Sequence, residues 1–522
     1  MIMLTRTRYF ALAMAGLFCV QITTFAQSGS RILPTDTEAD IIRKAATTVP
    51  SSRQWRWQQL ELTAFFHFGI NTFTDREWGD GKEDISLFNP SKLDARQWVR
   101  TARDAGIKQV ILTAKHHDGF CLWPSKYTEH SIKNTPYRNG RGDIVREVAD
   151  ACKAYGMGFG IYLSPWDRNS PYYGDSAKYN TLFMQMLTEL LGNYGKIDEV
   201  WFDGANGEGP NGRKQVYAFE DWYHLIRRLQ PQAVIAVMGP DVRWVGTESG
   251  TGRLTEWSVL PVNASQQESI AANSQKDETF APFGNMMDED LGGRSKLMAA
   301  KGLIWYPAET DVSIRPGWFY HAAEDGKVRS PEDLMEIYFN SVGRNSVLLL
   351  NIPPDKEGLI SEADIRSLRG WRHGLDATFR TNLAAGAVIT SPNGQGAAAM
   401  LDDKPEALPD DKPGAAPGDK PGASWTTTGK DTTATIEFVL AGEKTFDILL
   451  LQENILIGQR VEKFVLEYPD KDGWTTIVAG TTIGYKRLLR FPPVTTGKVR
   501  LRILSSRLNP TIARFGLYKQ TQ

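Results

Sequence analysis

The chain has 522 residues, with 60 basic against 61 acidic side chains and 41% hydrophobic residues, which describes a globular protein rather than a disordered or fibrous one. A formal net charge of −1 offers no broad basic field, so nucleic acid is excluded as the main partner and a ligand without net charge is expected. Fifteen Trp, 17 Tyr and 23 Phe supply amphipathic ring faces of the kind a sugar-binding cleft uses.

The first element is a targeting segment. Arg6 and Arg8 precede an apolar run from Tyr9 to Val20, and the small residue Ala26 follows, so residues 1–26 read as a secretory signal peptide. The run is short for a bilayer, and no other stretch reaches the roughly 18 to 20 apolar residues of a spanning helix. The protein is therefore expected to be exported, to the periplasm or the exterior of a bacterium. Cys19 follows the bulky Phe18, which argues against lipid attachment, and Cys121 and Cys152 are too few for a disulfide scaffold.

After an N-terminal extension, residues 27–54, short apolar runs alternate with helical patterns. The runs are Leu62–Phe66, Gln109–Thr113, Gly158–Leu163, Ile197–Phe202, Ala233–Met238, Leu254–Val259, Leu303–Tyr306 and Val347–Asn351. Their mostly continuous apolar character fits strands covered on both faces. Asp143 can cap a helix that places Ile144, Val145, Val148, Cys152 and Tyr155 on one face; Ser330-Pro331-Glu332-Asp333 is a second helix start. The sequence thus predicts an α/β fold: a (β/α)8-type, TIM-like barrel over residues 55–378, ending in a helix near Ser361–Phe379. The gap between the fifth and sixth strands is short enough that one helix is expected to be missing.

Beyond residue 379 the helical period fades, and Thr433–Leu440, Phe446–Leu451, Phe464–Tyr468 and Lys498–Ile503 read as strands of an all-β sandwich, residues 379–522. A low-complexity stretch, residues 401–424, repeats Asp-Lys-Pro three times and reads as an extended insertion within the sandwich.

In such a barrel the reacting groups lie just past the C-terminal ends of the strands. These ends are polar: His67, then Lys115-His116-His117-Asp118, Tyr162 through Asp167, and Trp201-Phe202-Asp203. The histidines and Asp118 raise the question of zinc, but no HExxH or CxxC spacing supports it, and neighbours on a strand point to opposite faces, so His116 and His117 can share a ligand only if the strand has ended. Asp203–Glu208 lacks the alternate oxygens of an EF-hand, Arg141-Gly142-Asp143 reads as a helix start, and Gly156–Gly160 is no dinucleotide fingerprint. No metal and no cofactor are expected. Paired carboxylates are the usual equipment for cleaving a glycosidic bond; Asp203 is the first candidate, and Glu248, in the loop after the fifth strand, is the best-placed second.

At these residues the chain resembles the α-L-fucosidases of glycoside hydrolase family 29. The resemblance is carried by His67-Phe68-Gly69, Glu77-Trp78, His116-His117-Asp118-Gly119-Phe120, Trp201-Phe202-Asp203-Gly204 and Arg243-Trp244-Val245-Gly246 followed by Glu248. It continues through Trp305–Glu309, Arg315-Pro316-Gly317-Trp318-Phe319 and Leu349–Pro354, in order along the whole barrel. The segments around Glu248 and Trp318 look like the subfamily that prefers α-1,3- or α-1,4-linked fucose on Lewis-type branched glycans. The terminal sandwich resembles a discoidin-type carbohydrate-binding module.

What the resemblance implies is an exo-acting, retaining α-L-fucosidase working by double displacement, with Asp203 as nucleophile and Glu248 as acid/base, their carboxyls about 5 to 5.5 Å apart. It implies that His67, Glu77, Trp78, His116 and His117 hold the sugar hydroxyls, that Tyr162 and Trp201 flank the reacting carbon, and that Trp318 and Trp166 meet the ring face or methyl. The partner is a fucosylated oligosaccharide or glycoconjugate, with linkage preference set by loops, among them Asp277–Leu291. The alternatives are a broad-specificity fucosidase that also takes α-1,2 linkages and a non-catalytic fucose-binding protein. The sequence leaves the oligomeric state open.

Overall fold

A computed structural model describes residues 29–262, 288–401 and 424–520. The expected signal peptide, most of the Asp-Lys-Pro insertion and most of the expected rim loop Asp277–Leu291 lie outside the described residues.

Eight parallel strands make the central sheet: β1 (Leu62–Phe66), β2 (Gln109–Lys115), β3 (Gly158–Leu163), β4 (Glu199–Phe202), β5 (Val234–Val237), β6 (Arg243–Trp244), β7 (Ala308–Ser313) and β8 (Ser346–Asn351). Pairing runs β5-β4-β3-β2-β1-β8-β7-β6, and between β5 and β6 a single parallel bridge, Ala236 to Val242, brings the ends of the sheet together. The result is a nearly closed barrel. Helices α1 (Ala95–Asp104), α2 (Ile144–Tyr155), α3 (Ser176–Asn193), α4 (Phe219–Leu229), α5 (Pro331–Asn340) and α6 (Glu362–Phe379) cover its outside. No helix stands between β5 and β6.

Local chemistry sets these boundaries. The Asp143 carboxylate accepts from Arg146 N at 2.9 Å and starts α2, while Gly156, at φ 67°, ends it in a left-handed turn that costs glycine nothing. Ser330 and Asp333 form a capping box with Pro331 in the first turn of α5, and Ser361 caps α6. Buried faces of these helices meet the outward side chains of the strands in one apolar core, with Trp98, Trp222 and Trp371 fully enclosed.

Two expected strands are corrected. Leu254–Val259 and Leu303–Tyr306 are not barrel strands. Val259–Val262 and Gly302–Trp305 pair antiparallel with each other, and Gly29–Arg31 adds to the second. Val259, Leu303 and Trp305 bury against Ile41, Trp55 and Leu456, so a small outlying sheet carries the same apolar signature as a barrel strand. The true seventh strand reads Ala-Glu-Thr-Asp-Val-Ser, because its inward residues are carboxyls rather than hydrocarbons.

After α6 the described residues form β-strands with two short 3-10 turns between them. Ala434–Gln452, Arg487–Ser506, Val461–Asp470 and Gly473–Gly480 form an antiparallel sheet edged by Val388–Thr390 and Arg514–Tyr518. The expected strands Thr433–Leu440 and Phe446–Leu451 are one 19-residue strand, with register shifts against its neighbour after Val439 and Phe446. A second, three-stranded sheet holds Gly394–Gln395 and Trp425–Thr427, paired with each other from either side of the low-complexity stretch. Phe438 and Phe515 stack at 3.9 Å between ring centroids in the core. The barrel is tied to this unit by polar contacts, including Lys486 Nζ to Glu61 at 2.6 Å and Tyr485 N to Asn345 Oδ1 at 2.7 Å. Among the described residues no helix is long and apolar enough to cross a membrane.

Candidate active site

The C-terminal ends of the strands carry a cluster of rings around two carboxylates. β2 ends at Lys115, and Gly119 N then donates to His116 O, turning the chain so that the His116 and His117 rings lie 4.0 Å apart. The strand has ended before the histidines, so both can face one cavity. His117 Nδ1 is 2.8 Å from Ser164 Oγ, whose own proton goes to Trp166 O at 2.8 Å. Nδ1 must therefore be the donor, and Nε2, 3.9 Å from Asp203 Oδ2, carries the lone pair.

His67 is fixed in the same way. Asn351 spends its amide hydrogens on Ser313 Oγ at 2.9 Å and Trp318 O at 2.7 Å, so its Oδ1 accepts from His67 Nδ1 at 2.8 Å. Burial pushes His67 and His117 down to about 3 and His116 well below its ordinary value. Three neutral imidazoles result. His67 and His117 each present an unprotonated Nε2, an acceptor for hydroxyl groups.

Asp203 follows β4. Its Oδ1 accepts from Ala205 N at 2.6 Å and its Oδ2 from the Tyr162 hydroxyl at 3.0 Å. Burial raises the pKa of this carboxyl, while those two bonds favour the ionised form. Trp201, Tyr162 and His116 form a row of near-parallel rings, 5.1 Å and then 5.7 Å between centroids, beside Asp203. Glu248 is reached through Trp318, whose Nε1 donates to Glu248 Oε2 at 3.3 Å. Desolvation raises Glu248, and the charges of Asp203 and Glu77 raise it further against the Trp318 bond.

Trp318 also lies 5.2 Å from His67 between ring centroids, and Trp166 packs at 5.2 Å from His117. The Trp166 ring occupies the space where a side chain at Gly207 would stand, 2.6 Å from its ideal Cβ. Trp78 is 53% exposed, edge-on to His117 and Trp166, and makes an open wall. The nominated carboxylates, histidines, Tyr162 and tryptophans thus lie in one contiguous cluster, apart from the rim loop Asp277–Leu291, most of which is outside the described residues. The carboxylate of Glu77 is engaged by the backbone of the Trp318 loop, accepting from Trp318 N at 2.7 Å and Phe319 N at 3.1 Å.

Sequence reasoning missed the supports. Trp201 Nε1 donates to Glu309 Oε1 at 2.7 Å, Trp244 Nε1 to Asp311 Oδ1 at 2.8 Å and Trp57 Nε1 to Glu199 Oε2 at 3.1 Å, so the barrel interior holds three indole–carboxyl pairs. Glu199 Oε1 and Glu309 Oε2 have no donor, and the two carboxyls face each other, which requires a proton between them. Burial pushes Glu199 up to about 8 and Glu309 and Asp311 well above the carboxylate range. Among the described residues no group of three or more His, Cys, Asp or Glu is arranged to hold a metal. A cavity of 1080 Å³ lies at the opposite end of the barrel, lined by Arg53, Trp57, Gln109 and Lys153, and takes no part in this cluster.

Two carboxylates facing neutral hydrogen-bonding rings and indole walls, at the catalytic end of a (β/α)8-type barrel, define a glycoside hydrolase. A family model described as Alpha-L-fucosidase matches residues 43–372. The chain is 42% identical to Alpha-L-fucosidase 1 of Arabidopsis thaliana over 476 residues, 90% of this chain and 87% of the plant protein. A crystal structure of a putative alpha-L-fucosidase from Bacteroides ovatus superposes with a TM-score of 0.81 at 48% identity, covering 95% of this chain and 78% of that one. A Ruminococcus gnavus GH29 fucosidase solved in complex with fucose matches with a TM-score of 0.76 at 32% identity, covering 91% and 95%. The chain belongs to the α-L-fucosidases of glycoside hydrolase family 29, and its activity is hydrolysis of α-L-fucosides.

Proposed function

We propose that the protein removes terminal α-1,3- or α-1,4-linked L-fucose from Lewis-type branched glycans with retention of configuration, after export to the periplasm or cell exterior. The observation that carries the mechanistic part is the unequal treatment of the two carboxyls. Asp203 is held by two donors that stabilise its anion, whereas Glu248 has one long bond and two neighbouring negative charges that favour its acid form.

Asp203 attacks the anomeric carbon as the bond to the leaving oxygen breaks, and Glu248 gives that oxygen its proton. The product is a fucosyl ester on Asp203. Esterification removes the Asp203 charge, one cause of the raised Glu248 pKa, so Glu248 becomes the stronger acid and remains ionised to take a proton from water. Water then displaces Asp203 from the face the aglycone left, and two inversions give net retention. His67 and His117 accept hydroxyl protons at Nε2, while Tyr162 and Trp201 stand against the reacting carbon. The indole of Trp318 faces the ring or its methyl.

The linkage preference is supported by the Glu248 and Trp318 segments, which resemble the α-1,3/1,4-specific branch. A proton NMR time course with a Lewis a or Lewis x trisaccharide beside 2′-fucosyllactose tests it. Early release of α-fucose from the branched trisaccharide with little from 2′-fucosyllactose is expected. Comparable release from both assigns the broad-specificity branch, and first appearance of β-fucose refutes retention.

A further inference from the structure

The loop that carries Trp318 is held from a side the reaction does not touch. Beyond its two backbone donors, Glu77 Oε1 lies 2.7 Å from Nε2 of His321, and Nδ1 of the same ring lies 2.7 Å from Asp75 Oδ1. A neutral imidazole has one N–H to give. A ring with a carboxylate oxygen against each nitrogen gives two, which makes it an imidazolium. The surroundings are built for close approach: Asp75 adopts a left-handed conformation at φ 58°, and a Cβ at Gly317 would stand 2.5 Å from Glu77 Oε1 and 3.0 Å from the His321 ring.

We propose that His321 is a positioning residue for fucoside cleavage: as an imidazolium clamped between Asp75 and Glu77 it fixes Glu77, and through Glu77 the Trp318 loop that orients Glu248. The inference deepens the proposed function and rests on its reading of Glu248 as acid/base. Glu77 Oε1 accepts from Phe319 N and His321, and Oε2 from Trp318 N, so Oε2 keeps one acceptor position for a sugar hydroxyl. One carboxylate would then serve the sugar and the loop together.

The charges around His321 are accounted for from each neighbouring segment. Asp75 and Glu77 face it directly, Lys356 acts on Asp75 from the loop after β8, Glu324 on the histidine's own segment accepts from Gly317 N at 3.2 Å, and Glu248 lies beyond Glu77. Burial favours the neutral ring, but the bonds to Asp75 and Glu77 outweigh it and raise the imidazole above its ordinary value.

The test measures kcat/KM on an α-L-fucoside with a poor leaving group over about pH 5 to 9 for the wild type, His321→Ala, Asp75→Asn and Glu248→Gln, with Tm as a check on folding. His321→Ala is expected to lose on the order of 10- to 100-fold in kcat/KM at an unchanged fold. Added imidazole should restore part of that loss, more at acidic than at alkaline pH, which a space-filling role would not produce. Asp75→Asn keeps the ring in place but lowers its basicity, so proton loss from His321 should join that of Glu248 on the alkaline limb and make the fall of kcat/KM begin at lower pH. A His321→Ala protein within about twofold of wild type, or a loss without imidazole rescue, overturns the inference. An Asp75→Asn profile superimposable on wild type does the same, and decides alone if His321→Ala does not fold. Glu248→Gln separates the two readings: full activity there removes the acid/base assignment itself, whereas its loss beside an unaffected His321→Ala removes only the clamp.

Discussion

Replacing Trp318 by Phe keeps an aromatic ring against the sugar and deletes the hydrogen bond that the loop gives Glu248, Trp318 Nε1 to Oε2 at 3.3 Å. A hydrogen bond to a charged group is worth about 1.5 to 3 kcal/mol, and the length and partial exposure of this one place it at or below the lower end. Because the indole favours the ionised carboxylate, its loss raises the Glu248 pKa; at 1.36 kcal/mol per unit the rise is about 0.5 to 1 unit. In a retaining glycosidase the alkaline limb of kcat/KM reports the protonated acid/base of the free enzyme. That limb should therefore move to higher pH by about 0.5 to 1 unit, while the acid limb, set by Asp203, stays in place. A pH profile on a substrate with a poor leaving group measures it. An alkaline limb that stays fixed or moves down would refute the reasoning that Trp318 tunes Glu248.

Further expectations address the carboxylates and the barrel interior. Asp203→Ala should lose on the order of 10⁴-fold or more in kcat, and azide should rescue it with β-fucosyl azide, whereas Glu248→Ala with azide should give α-fucosyl azide; exchanged products would exchange the two roles. Glu309→Gln can still accept from Trp201 and donate to Glu199, so Tm should change little. Glu309→Leu orphans both partners and should cost about 2 to 4 kcal/mol in denaturant unfolding. Glu199 is raised from 4.5 to about 8, so its proton-linked contribution is fully present below the unfolded pKa and is lost as pH rises through the folded one. The Tm of the wild type should fall across that window, and the Glu199→Gln, Glu309→Gln double variant should fall less. Gly317→Ala places a methyl against Glu77 and should lower kcat/KM on the order of tenfold; unchanged kinetics would show that the loop has room to spare.

Much of this arrangement is legible from residue order alone. β1, β3 and the caps at Asp143 and Ser330 follow from continuous apolar runs and side-chain oxygens at helix starts, because those signals are local. β6 and β7 escape for a physical reason: β6 has two residues, and β7 turns Glu309 and Asp311 inward, where indole N–H groups from β4 and β6 satisfy them. A polar strand of that kind looks like a loop until its partners are known. The apolar Leu303–Trp305 segment misleads in the opposite direction, since it is buried but outside the ring. At the site, Asp203 and the paired histidines stand out by position at strand ends. Asn351 and Ser164, which set the tautomers of His67 and His117, give no signal of their own, because each acts only through a contact made 284 or 47 residues away in sequence.

The two carboxyls assigned to the reaction are anchored differently in the barrel wall. Asp203 follows β4, which pairs with β3 from Glu199 to Trp201 and with β5 from Glu199 to Phe202, whereas Glu248 lies beyond β6, which has two pairings to β7 and, toward β5, a single bridge at the preceding Val242. In the proposed mechanism the leaving oxygen and the attacking water take the same side of the anomeric carbon in turn, so Glu248 has to hold one place through both steps. With few barrel pairings behind it, that place is set by the contact from Trp318.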